Sequence, residues 1–266
     1  MKAYIATKGS GTPLVLIPGL QGRWEYMREA GDALAQSFRV ITFALAGEPA
    51  SGLPFDAARG LDNYDAQLLV VLNQLGIERA VICGVSYGGI VAARFAAAHP
   101  ERTEALVLVS TPGPIWQLKP RHRIYARAPW LFGPLFALEA PLRLRRELAV
   151  ARPRPWAQLR FFLEVLRAFV RAPVSIGRMG RRARLITTLD LSDACRRITA
   201  PTLVVTGEAG LDYVVPVEGS SQYARLIAGA RGVVLERTGH QGVITQPETF
   251  AAVVRRFVEG RRHAAA

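Results

Sequence analysis

The sequence predicts an α/β fold: a mainly parallel, doubly wound sheet with helices on both faces and a helical cap inserted into it. Three observations carry this. Short, continuous apolar runs rich in β-branched residues recur along the 266 residues, as strands covered on both faces require. Segments with helical spacing of apolar residues separate them, and such alternation builds parallel sheets. The alternation stops between Pro112 and Arg197, where arginines, prolines and three of the four tryptophans gather.

In chain order, Lys2 to Ala6 reads as an edge strand and Leu14 to Ile17 as a strand ended by Pro18-Gly19. A helical pattern covers Arg23 to Gln36, and Arg39 to Phe43 is the next strand. Tyr64 to Leu75 is helical, Ala80 to Cys83 is a strand ending at Gly84, and Tyr87 to Ala98 is helical again. Ala105 to Val109 ends at Ser110. After the irregular stretch come the strands Thr202 to Thr206 and Gly232 to Leu235, then a helix over Pro247 to Glu259. In that helix Phe250, Val253, Val254, Phe257 and Val258 share one face. The expected division is a core domain of 1–111 and 198–266 and a cap of 112–197. The cap's clearest element is Ala157 to Arg171, with Arg160, Glu164, Arg167 and Arg171 on one face and Leu159, Phe162, Leu163, Leu166 and Val170 on another.

The net charge of +13 first points to nucleic acid or an anionic membrane surface. Its distribution narrows the choice. Between Pro112 and Arg197 there are 18 Lys and Arg against five Asp and Glu, so this stretch holds the whole excess and the rest is balanced. No zinc-ligand or basic helix-turn-helix pattern accompanies it, and no nucleic-acid partner is expected. Within the cap the uncharged run Ala128 to Leu138 follows Arg121, Arg123 and Arg127 and precedes Arg143, Arg145 and Arg146. Such a run suits an acyl pocket, or peripheral contact with an anionic membrane; the plain alternative is a solvated arginine-rich face. Two cysteines, Cys83 and Cys195, make no disulfide framework, and Cys83 reads as a buried, inert thiol. The start of the chain lacks a secretory apolar region, and no run is long enough to span a bilayer. A soluble, cytoplasmic protein is expected.

Gly84-Val85-Ser86-Tyr87-Gly88 matches G-x-S-x-G between a strand and a helix, the setting of a nucleophile elbow. A serine hydroxyl needs a base to take its proton. Of four histidines, His240 in Thr238-Gly239-His240-Gln241-Gly242 follows the last strand, at the carboxyl edge where ligands bind. His99 follows the elbow helix, His122 lies among arginines, and His263 lies in the tail. The base in turn needs an acid. The loop Gly207 to Pro216 offers Glu208 and Asp212; Asp212 is preferred and Glu208 is the second choice. The order Ser86, Asp212, His240 is that of the elbow-bearing enzymes. Pro18-Gly19-Leu20-Gln21-Gly22 can turn tightly, so the backbone N–H groups of Leu20 and Tyr87 are the expected oxyanion donors.

Together these residues resemble the α/β-hydrolase family, from about Leu14 to Val258. The likeness rests on Gly84 to Gly89, Ala98-His99-Pro100-Glu101-Arg102, Ala200 to Val204, Asp212 with Pro216 four residues on, and Gly239-His240 followed by Gln246-Pro247-Glu248 and Phe250. It implies a serine hydrolase with a cap between the sixth and seventh strands of the family's sheet, and a structural role for His99. Three features depart from the family's pattern. Pro18-Gly19 stands where His-Gly is usual. Ala44-Leu45-Ala46-Gly47-Glu48 stands where Asp usually follows a strand. The acid loop is two residues longer than usual, so Gly210 takes the usual place of the acid. The expected activity is cleavage of a carboxylic ester through an acyl-enzyme, on a small, apolar acyl substrate, with neither metal nor organic cofactor. The alternatives are a carbon–carbon bond hydrolase or lactonase with the same triad, and a non-catalytic binding protein of this fold.

Overall fold

The computed structural model describes residues 2–265, and the side chains of these apart from 136–138, 140–143 and 261–265. The chain opens with β1 (Ile5–Lys8) and β2 (Pro13–Ile17), then α1 (Arg28–Leu34), β3 (Arg39–Phe43), α2 (Asp62–Gln74), β4 (Ala80–Val85), α3 (Tyr87–Ala98) and β5 (Thr103–Val109). Next come β6 (Ile115–Gln117), four helices α4 (Pro120–Arg127), α5 (Pro129–Ala151), α6 (Pro155–Arg171) and α7 (Ile176–Leu185), then β7 (Thr188–Asp190) and α8 (Ser192–Arg197). The chain closes with β8 (Thr202–Thr206), α9 (Val217–Leu226), β9 (Arg231–Val234), α10 (Gly242–Thr245) and α11 (Pro247–Ala265).

Seven strands form one sheet in the order β1-β3-β2-β4-β5-β8-β9. Every pairing is parallel except β1 with β3. The long runs of apolar residues are explained by two cores, one on each face. In β2, Val15 and Ile17 enter one core, and Leu14 and Leu16 the other. In β5, Leu106 and Leu108 oppose Ala105, Val107 and Val109 in the same way. The first core takes α2 and α3, and the second takes α1 and α11. The fold is thus of the expected class, with the helices α4–α7 inserted between β6 and β7, which pair with each other as a two-stranded ribbon.

Three local differences have simple causes. The edge strand begins at Ile5, because its ladder partner β3 offers Phe43 to Val40 to Ile5 to Lys8. The first helical pattern splits into a 3-10 turn over Trp24–Met27 and α1. Gly84 lies inside β4, paired with Ile17 and Leu108, so the sharp turn falls just beyond it.

In the cap, the uncharged run becomes the first half of α5. Trp130, Leu131 and Leu135 are exposed there; the side chains of Phe136, Ala137, Leu138 and Arg143 lie outside the described residues, as does that of His263. The C-terminal half of α5 is fastened to the body. Arg152 donates to the carbonyls of Ile244 and Thr245 and pairs with Glu29 of α1. Among the described residues no helix is long and apolar enough to cross a membrane. Both cysteines are free and buried, and burial pushes the Cys83 thiol up in pKa.

Candidate active site

Ser86 sits between the end of β4 and the start of α3 with φ 53° and ψ −118°. That conformation costs a non-glycine residue about 1–3 kcal/mol, and the surroundings must hold it. The Ser86 N–H donates to the Val109 carbonyl at 2.8 Å, and the Ser86 carbonyl accepts from the Gly89 N–H at 2.9 Å. The glycines on either side are required by close backbone approach. A Cβ on Gly84 would strike the carbonyl of Gly88, and one on Gly88 would come within 2.5 Å of the Ile17 carbonyl oxygen. The elbow therefore presses α3 onto β2 and β4 and lifts Ser86 toward the carboxyl edge of the sheet.

His240 lies in the loop after β9, with its Nε2 3.0 Å from Ser86 Oγ. Its Nδ1 is 3.3 Å from Asp212 Oδ2, and both side chains are buried. The other oxygen of Asp212 accepts the N–H groups of Val214 and Val215, both at 2.9 Å. The carboxylate is thus held from behind while its free oxygen faces the imidazole. Glu208 is turned elsewhere: its Oε1 accepts the Arg237 N–H at 2.7 Å. Arg237 has φ 60°, so Glu208 braces a strained turn on the approach to His240. The two extra residues of the acid loop are taken up by winding. The Glu208 carbonyl accepts from both Leu211 and Asp212, at 3.0 and 3.1 Å, and this turn delivers Asp212 to the histidine.

The two expected oxyanion donors flank the serine. Tyr87 opens α3, so its N–H is one of the unpaired donors of a helix start. Gly19 stands over Ser86, since a Cβ on it would contact Ser86 Cβ at 3.6 Å. The next residue, Leu20, offers an N–H that finds no acceptor among the described residues. The turn itself is closed by the Gly22 N–H donating to the Gly19 carbonyl at 2.9 Å. His99 is remote from this centre; it packs on Phe95 and lies 3.5 Å from Glu101.

The cap supplies residues that sequence patterns did not single out. Arg182 of α7 is buried, ion-paired with the buried Glu48, and donates to the Leu20 carbonyl at 3.0 Å. Arg178, one turn earlier, donates to the other oxygen of Glu48 at 2.8 Å. Gly22 has φ +71°, and any Cβ there would meet the Arg182 guanidinium. The loop from Gly19 to Gly22 is thus pinned from the cap, and the unusual Glu48 is the anion that makes it possible. Glu147 of α5 does the same for the histidine loop. It accepts from the Gln241 N–H at 3.1 Å and from the Thr245 hydroxyl at 2.8 Å. Burial raises the pKa of this carboxyl, against the opposing effect of those hydrogen bonds. The available signal was scarcity, for Glu147 is one of only five acids in the cap. Arg146, one of the arginines that follow the uncharged run, donates to the Tyr213 hydroxyl at 2.6 Å beside Asp212. An open cavity of about 370 Å³ adjoins Glu48, Phe55 and Arg181, and none of Ser86, Asp212 and His240 lines it.

Comparison with known proteins identifies the family of the chain. Residues 12–247 match the family described as alpha/beta hydrolase fold. The chain is 30% identical to 2-hydroxymuconate semialdehyde hydrolase of Pseudomonas sp. (strain CF600), over 97% of this chain and 90% of that protein. It is 28% identical to the pimeloyl-[acyl-carrier protein] methyl ester esterase of Nitrosomonas europaea, over 94% and 96% respectively. Among solved structures, an esterase from Exiguobacterium antarcticum superposes with a TM-score of 0.77 at 21% identity, covering 96% of this chain and 95% of that one.

Proposed function

The chain belongs to the alpha/beta hydrolase fold family, and from that premise we propose that it is a serine hydrolase cleaving a carboxylic ester of a small, apolar acyl substrate. The observation that carries this reading is the unbroken line Asp212–His240–Ser86, with contacts of 3.3 and 3.0 Å, ending on a serine held at positive φ. Ser86 Oγ attacks the ester carbonyl as His240 Nε2 takes its proton. The developing oxyanion is met by the N–H groups of Leu20 and Tyr87, and losing one such donor costs ~10²–10³ in rate. His240 then gives the proton to the leaving alcohol, and Asp212 supports the imidazolium. Water activated by the same histidine releases the acid. The buried setting of His240 and Asp212 strengthens their interaction, since low local dielectric screens it little.

A second reading uses the same residues on a carbon–carbon bond. It is favoured by the likeness to 2-hydroxymuconate semialdehyde hydrolase, the more similar of the two named relatives. Labelling by a fluorophosphonate probe, with turnover of short p-nitrophenyl esters, tests the first reading. Full ester hydrolysis by Ser86→Ala would overturn the nucleophile assignment. A panel that adds lactones and vinylogous 1,5-diketones separates the two readings by relative kcat/KM.

A further inference from the structure

Helix α6 is set on the body by its weaker face. Phe161 is its one buried large side chain, with Ala157, Val165 and Ala168 half-buried on the same side. The face richer in large apolar residues points outward: Trp156, Leu159, Phe162, Leu166, Phe169 and Val170 are 47–73% exposed. At helical spacing these residues fill a stripe of roughly 140°. Arg160, Arg167 and Arg171 follow along one border of that stripe, all exposed. The helix's single acid, Glu164, lies on the body side and accepts from Arg160 at 2.9 Å. A contiguous apolar stripe of this size on a water-facing helix marks an interaction surface.

We propose that α6 is a docking helix for an anionic lipid bilayer, lying in the plane of the interface with its stripe in the acyl boundary and its arginines on the headgroups. Charge complementarity selects this occupant. The cap carries the whole +13 excess of the chain. A second copy would bring two like-charged borders together. A bilayer bearing anionic headgroups satisfies the arginines and takes up the aromatic and aliphatic side chains at once. The body-facing attachments leave the stripe free for this: Tyr26 donates to the Ala172 carbonyl at the end of α6, and Arg152 and Glu29 hold its start. Neither the stripe nor its border contains a residue of the Ser86 centre, so docking is independent of the proposed chemistry.

The test is co-sedimentation of the whole protein with phosphatidylcholine vesicles, with and without phosphatidylglycerol. Hydrolysis of a soluble p-nitrophenyl ester runs in parallel as the check on folding and chemistry. Binding is expected only with phosphatidylglycerol, and it should weaken as salt rises. Each arginine near an anionic surface contributes about fivefold. Arg167→Gln/Arg171→Gln should therefore weaken partitioning by about 30-fold, and Leu166→Asp/Val170→Asp by at least tenfold. Soluble-ester turnover should stay at the parent level in both. Equal binding to neutral vesicles, or no binding to anionic ones, would overturn the proposal. So would a dimer in analytical ultracentrifugation that Leu166→Asp/Val170→Asp dissolves, since the stripe would then belong to a second copy.

Discussion

Glu48→Leu removes the anion against which the cap sets Arg182 in the interior. The side chain of Glu48 is fully buried, Arg182 is 2% exposed, and Arg178 is 28% exposed. Without Glu48, Arg182 keeps its bond to the Leu20 carbonyl but loses the carboxylate paired with it. An uncompensated buried charge of this kind costs about 3–5 kcal/mol. For a chain of this size that is a fall of roughly 6–20 °C in Tm. Arg182→Met is milder, about 2 kcal/mol, because Glu48 keeps its bond from Arg178 at 2.8 Å. The double variant should be more stable than Glu48→Leu alone, because it removes both charges of the pair. If Leu20 is an oxyanion donor as proposed, the same pair acts on catalysis through its peptide, so Arg182→Met should lower kcat about tenfold, less than the ~10²–10³ for outright loss of a donor, with KM little changed. Thermal unfolding by circular dichroism and ester hydrolysis well below the melting range measure both effects. A Glu48→Leu variant that melts with the parent, or a double variant that loses the sum of the two single losses, would refute the buried pairing of Glu48 with Arg182.

Three further outcomes are expected. Asp212→Asn should lower kcat by about 10⁴, as removal of the histidine's orienting acid does elsewhere, while Glu208→Gln, which touches only the Arg237 turn, should cost far less; the opposite ranking would move the role to Glu208. Burial, and then a hydrogen bond to Glu164, raise the Glu29 carboxyl from 4.5 to about 6, with Arg152 opposing. A raised folded-state pKa gives stability that is fully present below 4.5 and lost as pH rises through about 6. The Tm of the parent should therefore fall relative to Glu29→Gln across that window, and a constant difference would refute the assignment. Finally, ester hydrolysis should depend more on salt for an anionic substrate than for a neutral one, since the cationic excess sits in the cap; equal dependence on a kinetic salt series would make the charge a solvated face.

The elbow and the histidine loop were legible because their signals are local. A strand, a glycine-flanked serine and a helix define one backbone geometry within a few residues, and the close approaches at Gly84 and Gly88 account for it. The sequence preferred Asp212 but left Glu208 open as the second choice. The choice turns on how the Glu208 carbonyl winds the loop and on the Arg237 N–H that captures the Glu208 side chain from 29 residues away. For α6 the spacing revealed an apolar face and a cationic one. It did not reveal that the helix would rest on Phe161 and present the apolar face outward, because periodicity describes a helix and not what lies beneath it. The arginines of the cap look alike in sequence, yet Arg182 is buried and Arg160 is exposed.

By itself the sequence determined the strand and helix order, the serine at the elbow, the histidine after the last strand, and the confinement of the charge to one insertion. These follow from alternation, turn chemistry and composition, which act within a few residues. The tertiary structure decided which acid faces His240, that Glu48 and Arg182 meet across 134 positions beneath the loop that carries Leu20, and which side of α6 meets solvent. Those outcomes depend on which surfaces the sheet brings together, and buried charges accept only the partner that topology delivers.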